Sequence, residues 1–235
     1  KNAIRDIALT EIAKEMSELK KRAILIGAGE LDSDMAEIIK QDLQKDIPVI
    51  ALDGGLAFCV EHGIRPDRIV GDFDSLLSEK QELLERYPKE IIHRLPCEKD
   101  DTDTLAAIRL AVETGYERFI IYGGLGGRLS HTMANIQSLM FLKEHGLHGE
   151  LVGKGSRIFV IKDESVVLSA RKNGFISVFA YGEKASGVTI KNLKYEVEDA
   201  ELTNAFPIGV SNEFVGKEAT VSVKKGTLLV VEETQ

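Results

Sequence analysis

The chain reads as an α/β plus β protein: a Rossmann-like parallel α/β domain over residues 1–147, followed by a C-terminal antiparallel β-sandwich over residues 148–235. Three observations predict this. Up to about Gly146, short apolar runs alternate with segments of helical spacing, the mark of βαβ units with right-handed crossovers. From Glu150 onward the runs are short, close together and alternating, as in an antiparallel sandwich. Four clusters of carboxylates and glycines each follow a predicted strand: Asp53-Gly54-Gly55, Gly71-Asp72-Phe73-Asp74-Ser75, Asp100-Asp101-Thr102-Asp103 and Gly123-Gly124-Leu125-Gly126-Gly127-Arg128. The C-terminal strand ends of an open parallel sheet line one crevice, so these clusters are expected to converge. The result is an acidic, glycine-rich site with an arginine in it, suited to magnesium and phosphate.

Taken in order, Ile4, Ile7, Ala8, Ile12 and Met16 recur at helical spacing and give an amphipathic opening helix. Its apolar face is expected to pack on the domain, with contact to a partner as the alternative. Strands follow at Ala23–Ile26, Val49–Leu52, Arg68–Val70, Ile91–Arg94 and Phe119–Tyr122. Helices are expected near Ser33–Lys45, Leu56–His62, Ser78–Arg86, Thr102–Thr114 and Ser130–His145. The second half has strand runs at Arg157–Ile161, Ser165–Ser169, Phe175–Ala180, Gly187–Ile190, Ala219–Val223 and Leu228–Val231. Lys224-Lys225-Gly226 separates the last two and reads as a hairpin turn. The domain boundary is expected near His145–Gly149.

Composition narrows the function class. The chain has 235 residues, 43% apolar and 29% charged, which is ordinary for a globular protein. A chain of this size buries roughly 70–75% of its unfolded surface. A net charge of −8 without a basic patch argues against a nucleic-acid partner. No apolar run approaches the ~18 residues of a membrane span, so no membrane partner is expected. Lys1 to Arg22 is charged and lacks an apolar signal core, so export is not expected. Cys59 and Cys97 form no CxxC pair, which fits a reducing compartment and a cytoplasmic address.

Each cluster carries chemistry beyond its structural use. In an extended stretch Asp72 and Asp74 point to one side, where two carboxylates repel unless a cation such as Mg²⁺ lies between them. Asp100, Asp101 and Asp103 open the Thr102–Thr114 helix, whose N-terminus stabilises one carboxylate by ~0.3–1 kcal/mol. Three exceed what capping needs, so at least one is expected to bind metal or substrate. The glycines from Gly123 to Gly127 let backbone N–H groups approach an anion at a helix start. Arg128 there opposes the helix dipole unless an anionic partner such as a triphosphate reverses the sign.

Other matches fail. Gly27-Ala28-Gly29 begins a dinucleotide fingerprint, but Asp32 holds the third glycine position. Gly153-Lys154-Gly155-Ser156 lacks the earlier glycine of a phosphate loop (His148 stands there) and a hydroxyl residue directly after the lysine. The five histidines form no ligand pair, and His131 is expected to be structural.

Together these motifs resemble the thiamine pyrophosphokinase family, whose members move a pyrophosphoryl group from ATP to thiamine. The resemblance covers nearly all of the chain after about Arg22. It rests on D-G-G, G-D-F-D-S, D-x-T-D and G-G-x-G-G-R in order, and on Asn192-Leu193-Lys194-Tyr195 and Gly209-Val210-Ser211-Asn212 in the second half. It implies a homodimer with thiamine bound where subunits meet. It implies that Asp72, Asp74 and Asp103 handle Mg²⁺ and activate the hydroxyl, with Arg128 on the phosphates. Asp53, Gly54, Asp100, Gly124, Gly126, Gly127 and Ser130 are then expected to border ATP and its metal, with Ser211 and Asn212 at the thiamine pocket. Asp103 or Asp100 is the candidate acceptor of the hydroxyl proton.

The family usually carries Asp where this chain has Ser130, which implies slower chemistry or compensation by Asp100 or Asp101. Alternatively Ser130 simply caps the following helix. Two other readings stay open at this point. One is a pyrophosphokinase for another hydroxyalkyl compound, such as a hydroxymethylpterin. The other is a thiamine-binding protein that has lost catalysis.

Overall fold

The computed structural model describes residues 21–73, 82–96 and 101–234. The expected opening helix lies outside them, as does the start of the helix expected at Ser78–Arg86; residues 82–84 of the latter are helical. The chain divides into two compact units, Lys1–Ser138 and Leu139–Gln235.

Among the described residues of the first unit, five strands form a parallel array in the order β5-β1-β2-β3-β4. They are β1 (Arg22–Ile26), β2 (Val49–Leu52), β3 (Arg68–Gly71), β4 (Ile92–Arg94) and β5 (Arg118–Tyr122). β2 is buried at every position and β1 at all but Arg22. Such unbroken apolar runs suit a parallel sheet covered on both faces. The chain moves outward from β1 through β4, then returns to place β5 on the other side of β1. That reversal opens a crevice between the C-terminal ends of β1 and β5.

Among the described residues, helices that follow the strands include α1 (Ser33–Leu43), α2 (Gly55–Glu61), α3 (Asp103–Glu113) and α4 (Leu129–Glu144). Asp32 caps α1 by accepting from the Met35 N–H at 3.0 Å, and α1 buries Met35, Ala36 and Ile39 on one face. Thr102 caps α3 by accepting from the Leu105 N–H at 3.2 Å, and α3 buries Ala107, Ile108 and Ala111. Each cap supplies an acceptor to a backbone donor that has no partner within its helix.

Beyond the end of α4, the second unit is built of antiparallel strands. Its strands are β6 (His148–Gly153), β7 (Ser156–Lys162), β8 (Ser165–Leu168), β9 (Phe175–Ala180), β10 (Lys184–Lys191), β11 (Val197–Thr203), β12 (Asn212–Glu213), β13 (Ala219–Ser222) and β14 (Thr227–Glu233). One antiparallel layer runs β12-β9-β14-β7-β6 and the other β11-β10-β13-β8. Ile176, Val178, Leu228 and Val230 of the first layer and Ala185, Val188, Ile190, Ala219 and Val221 of the second belong to one buried cluster. That cluster is the sandwich core.

The hairpin expected at Lys224-Lys225-Gly226 does not form. β13 pairs with β10 and β8, whereas β14 pairs with β7 and β9, so this turn carries the chain from one sheet to the other. Gly226 sits at φ +112 and donates to Asp163 Oδ1 at 2.7 Å, while Ser186 and Lys225 exchange two backbone bonds. These contacts hold the crossing in place of a two-strand ladder. β11 was not expected because its sequence, Val-Glu-Asp-Ala-Glu-Leu-Thr, is an edge strand with mostly exposed side chains and so lacks apolar alternation.

Candidate active site

Loops from four strand ends and the start of α3 enclose a cleft of about 690 Å³ within the first unit. Its volume lies in the range of small-molecule sites. Asp53 and Gly54 enter from β2, Asp72 from β3, Asp101 to Thr104 from the α3 start, and Gly123, Gly124, Gly126, Gly127 and Arg128 from β5. All four sequence clusters therefore meet.

Carboxylate oxygens of Asp53, Asp72 and Asp103 lie within 4.8 Å of one another, and all three residues are half-buried. At that separation two unit charges repel by ~3 kcal/mol at an effective dielectric near 20. A divalent cation bound by hard oxygen donors would turn this repulsion into attraction. Thr102 already caps α3, so Asp103 is not needed for capping and its carboxylate faces the cluster. Asp101 pairs instead with Arg109, Oδ2 to Nη1 at 2.6 Å. Asp74 and Asp100 lie outside the described residues.

The alternation argument for Asp72 and Asp74 fails at Phe73. This residue adopts φ +59, so the backbone leaves the extended conformation immediately after Asp72. A bulky residue there is strained by ~1–2 kcal/mol. Its ring is buried to 3% exposure, with the Arg94 guanidinium 5.2 Å from its centroid. Packing of Phe73 thus holds the turn that aims Asp72 inward.

The glycine loop allows close approach of two backbones. Gly123 has φ +64, and a Cβ there would lie 2.5 Å from the Gly27 carbonyl oxygen. Gly27 N–H donates to Tyr122 O at 2.8 Å and Gly29 N–H to Gly123 O at 2.8 Å. The Gly27-Ala28-Gly29 loop therefore lines the cleft by crossing under the β5 loop, a role the failed dinucleotide match did not suggest.

Arg128 accepts backbone bonds from His131 and Thr132 at 3.0 and 3.3 Å, so it holds the N-cap position of α4. Ser130 is then inside the first turn, exposed, and not among the cleft-lining residues; it does not cap the helix. His131, expected to be structural, lines the cleft. So does Asn135, which sequence reading missed; it is buried and donates from Nδ2 to Gly124 O at 2.7 Å. Arg128, His131 and Asn135 fall at i, i+3 and i+7, one face of α4, and that spacing was the available signal.

Cys59 is no nucleophile here, because burial pushes its thiol up to about 12 and leaves no thiolate at neutral pH. Ser211 and Asn212 lie in the second unit. Asn212 is buried, and its Oδ1 accepts from the N–H groups of Tyr195 and Glu213, both at 2.9 Å. Its Nδ2 donates to Tyr195 O at 2.6 Å, so the side chain clamps Tyr195 by both its N–H and its carbonyl. Ser211 is exposed at φ +57, with its N–H held by Ser177 Oγ at 3.1 Å.

Two family models match the chain. Residues 39–149 match "Thiamin pyrophosphokinase, catalytic domain" and residues 161–228 match "Thiamin pyrophosphokinase, vitamin B1 binding domain". The thiamine pyrophosphokinase of Bacillus subtilis (strain 168) is 27% identical over 186 residues, covering 79% of this chain and 86% of that one. A crystal structure of thiamine pyrophosphokinase from Bacillus subtilis superposes with a TM-score of 0.79 at 23% identity, covering 92% of this chain and all of that one. Thiamin pyrophosphokinase from Geobacillus thermodenitrificans gives a TM-score of 0.80 at 25% identity, covering 91% and 98%.

Proposed function

The chain belongs to the thiamin pyrophosphokinase family, and from that premise we propose that it transfers the pyrophosphoryl group of ATP to the hydroxyl of thiamine. The hydroxyl oxygen attacks the β-phosphorus in line, the bond from that phosphorus to the α–β bridging oxygen breaks, and AMP leaves. The observation that carries the reading is the meeting of Asp53, Asp72, Asp103 and Arg128 in one cleft at the sheet's switch point.

Asp72 and Asp103, joined by Asp53, fit Mg²⁺ by the chemistry of their donor set. Asp74 belongs to the same proposed set. Bound there, the metal would neutralise charge on the transferring phosphates. Arg128, with the glycine-loop N–H groups from Gly124 to Gly127, would hold the triphosphate. Gly54 would border the nucleotide. Asp103 or Asp100 would accept the hydroxyl proton as the new bond forms. Ser130 is not among the residues that line the cleft, so it stays the weakest member of the proposed nucleotide-binding set.

In this reading residues 1–147 bind MgATP and residues 148–235 bind thiamine, with Ser211 and Asn212 at the vitamin. The active form would be a homodimer with thiamine bound where subunits meet. In support, Phe206, Ile208 and Val210 leave 65%, 54% and 47% of their surface exposed along one loop of the second unit. Among the described residues no helix is long and apolar enough to cross a membrane, and we place the enzyme in the cytoplasm.

Incubation of the folded protein with thiamine and MgATP should release AMP and form thiamine pyrophosphate in equal amounts, read by chromatography. Absence of both products across a range of pH and magnesium concentration would overturn the reading.

A further inference from the structure

Glu232 is a carboxylate in the central strand β14 with only 2% of its side chain exposed. It bridges two arginines. Arg157 Nη1 donates to Oε1 at 3.1 Å while its Nε donates to Glu150. Arg171 Nη2 lies 2.6 Å from Oε2, an ionic contact at an angle outside hydrogen-bond alignment. A well-packed apolar residue would serve stability at least as well in such a place. What the ion pair supplies is a fixed place: the guanidinium of Arg171 is tethered to one buried carboxylate.

Arg171 links that tether to the segment bearing Ser211 and Asn212. Its guanidinium lies 5.3 Å from the centroid of the Phe214 ring. Its carbonyl accepts from the Gly216 N–H at 2.7 Å, and Gly174 O in the same turn accepts from the Phe214 N–H at 3.2 Å. Phe214 in turn bridges to Leu193, and Asn212 clamps Tyr195 from both sides of its peptide. A rigid strand, a charged relay and the two motif segments form one connected chain of contacts. Within the second unit, no other ion pair among the described residues combines a carboxylate this buried with two arginines.

We propose that the Glu232–Arg171 pair is a positioning device that fixes the Ser211–Phe214 segment and thereby sets the affinity for thiamine rather than the rate of pyrophosphoryl transfer. This rests on the placement of thiamine at Ser211 and Asn212 under the proposed function. Neither residue touches substrate; both act through Phe214 and the backbone beside it.

The test is steady-state kinetics of the full chain with thiamine and MgATP varied separately, for Glu232→Gln and for Arg171→Met. Loss of one buried charged contact should raise the KM for thiamine by about tenfold. The KM for ATP and kcat at saturating thiamine should stay within about twofold of the parent, the pattern of lost ground-state positioning. Amide exchange at Tyr195, Phe214 and Gly216 should quicken in both variants, a readout independent of turnover. Should Glu232→Gln fail to fold, Arg171→Met carries the test, because that side chain is 38% exposed. Thiamine KM unchanged, or kcat and both KM values shifting alike, overturns the proposal. A parent that forms AMP with thiamine beside unaltered variants sinks the proposal alone. A parent that forms none sinks the site assignment and the proposal with it.

Discussion

Asp53, Asp72 and Asp103 come from three separate elements, and one carboxylate oxygen of each lies within 4.8 Å of the other two. Asn keeps the shape of Asp and removes its charge. Asp72→Asn and Asp103→Asn should each lower kcat at least about a hundredfold, as loss of a preorganised electrostatic group does. Rates near the parent's in both variants would remove these residues from the reaction. The presence of Asp72, Asp103 and Arg128 in this cleft was legible in the sequence, because motifs that follow parallel strands must share one edge. That Asp53 completes the carboxylate trio was not, since Asp-Gly is common in turns. Phe73 shows the opposite failure. Period-two reasoning needs an extended backbone, and φ +59 at a buried aromatic ring is decided by packing rather than by its neighbours in sequence.

The sheet-switching turn at 223–226 sets how the last two strands of the second unit are shared between layers. Gly226 holds φ +112, and a Cβ there would meet the Lys184 carbonyl oxygen at 2.8 Å. Gly226→Ala therefore combines backbone strain with a clash against main chain and should cost about 1–3 kcal/mol in urea unfolding. Gly63 in the first unit also has positive φ, +67, but nothing lies within 4 Å of its would-be Cβ. Gly63→Ala should cost only about 1 kcal/mol, from conformation alone. Equal losses in the two variants would mean that the close approach at Gly226 contributes nothing. A Lys-Lys-Gly between apolar runs reads as a hairpin because turn chemistry is local. Which strand each run joins depends on which face of it is buried, and Leu228 and Val230 face the sandwich core from the other layer.

For the whole molecule, the proposed homodimer makes a measurable claim. Sedimentation velocity should give a species of twice the 25.9 kDa chain mass at micromolar concentration. Phe206→Ser, at a residue 65% exposed, should weaken that species and leave the far-ultraviolet circular dichroism of the chain unchanged. A parent that sediments as a monomer would retire the dimer. By itself the sequence determined the two classes of layer and the order of the motifs, because hydrophobic period acts within a turn or a strand; an acidic cap was expected on α3, and the structure has Thr102 there instead. His131 and Asn135 share the Arg128 face of α4, but only the folded cleft gave that spacing a meaning. Tertiary structure alone decided that the carboxylates of Asp53, Asp72 and Asp103 come together, that Ser130 stays out of the cleft lining, and that Glu232 tethers Arg171 beside Phe214. Each of these joins positions well separated along the chain or depends on which side of an element is covered. No local pattern encodes that, because it is set by packing between elements.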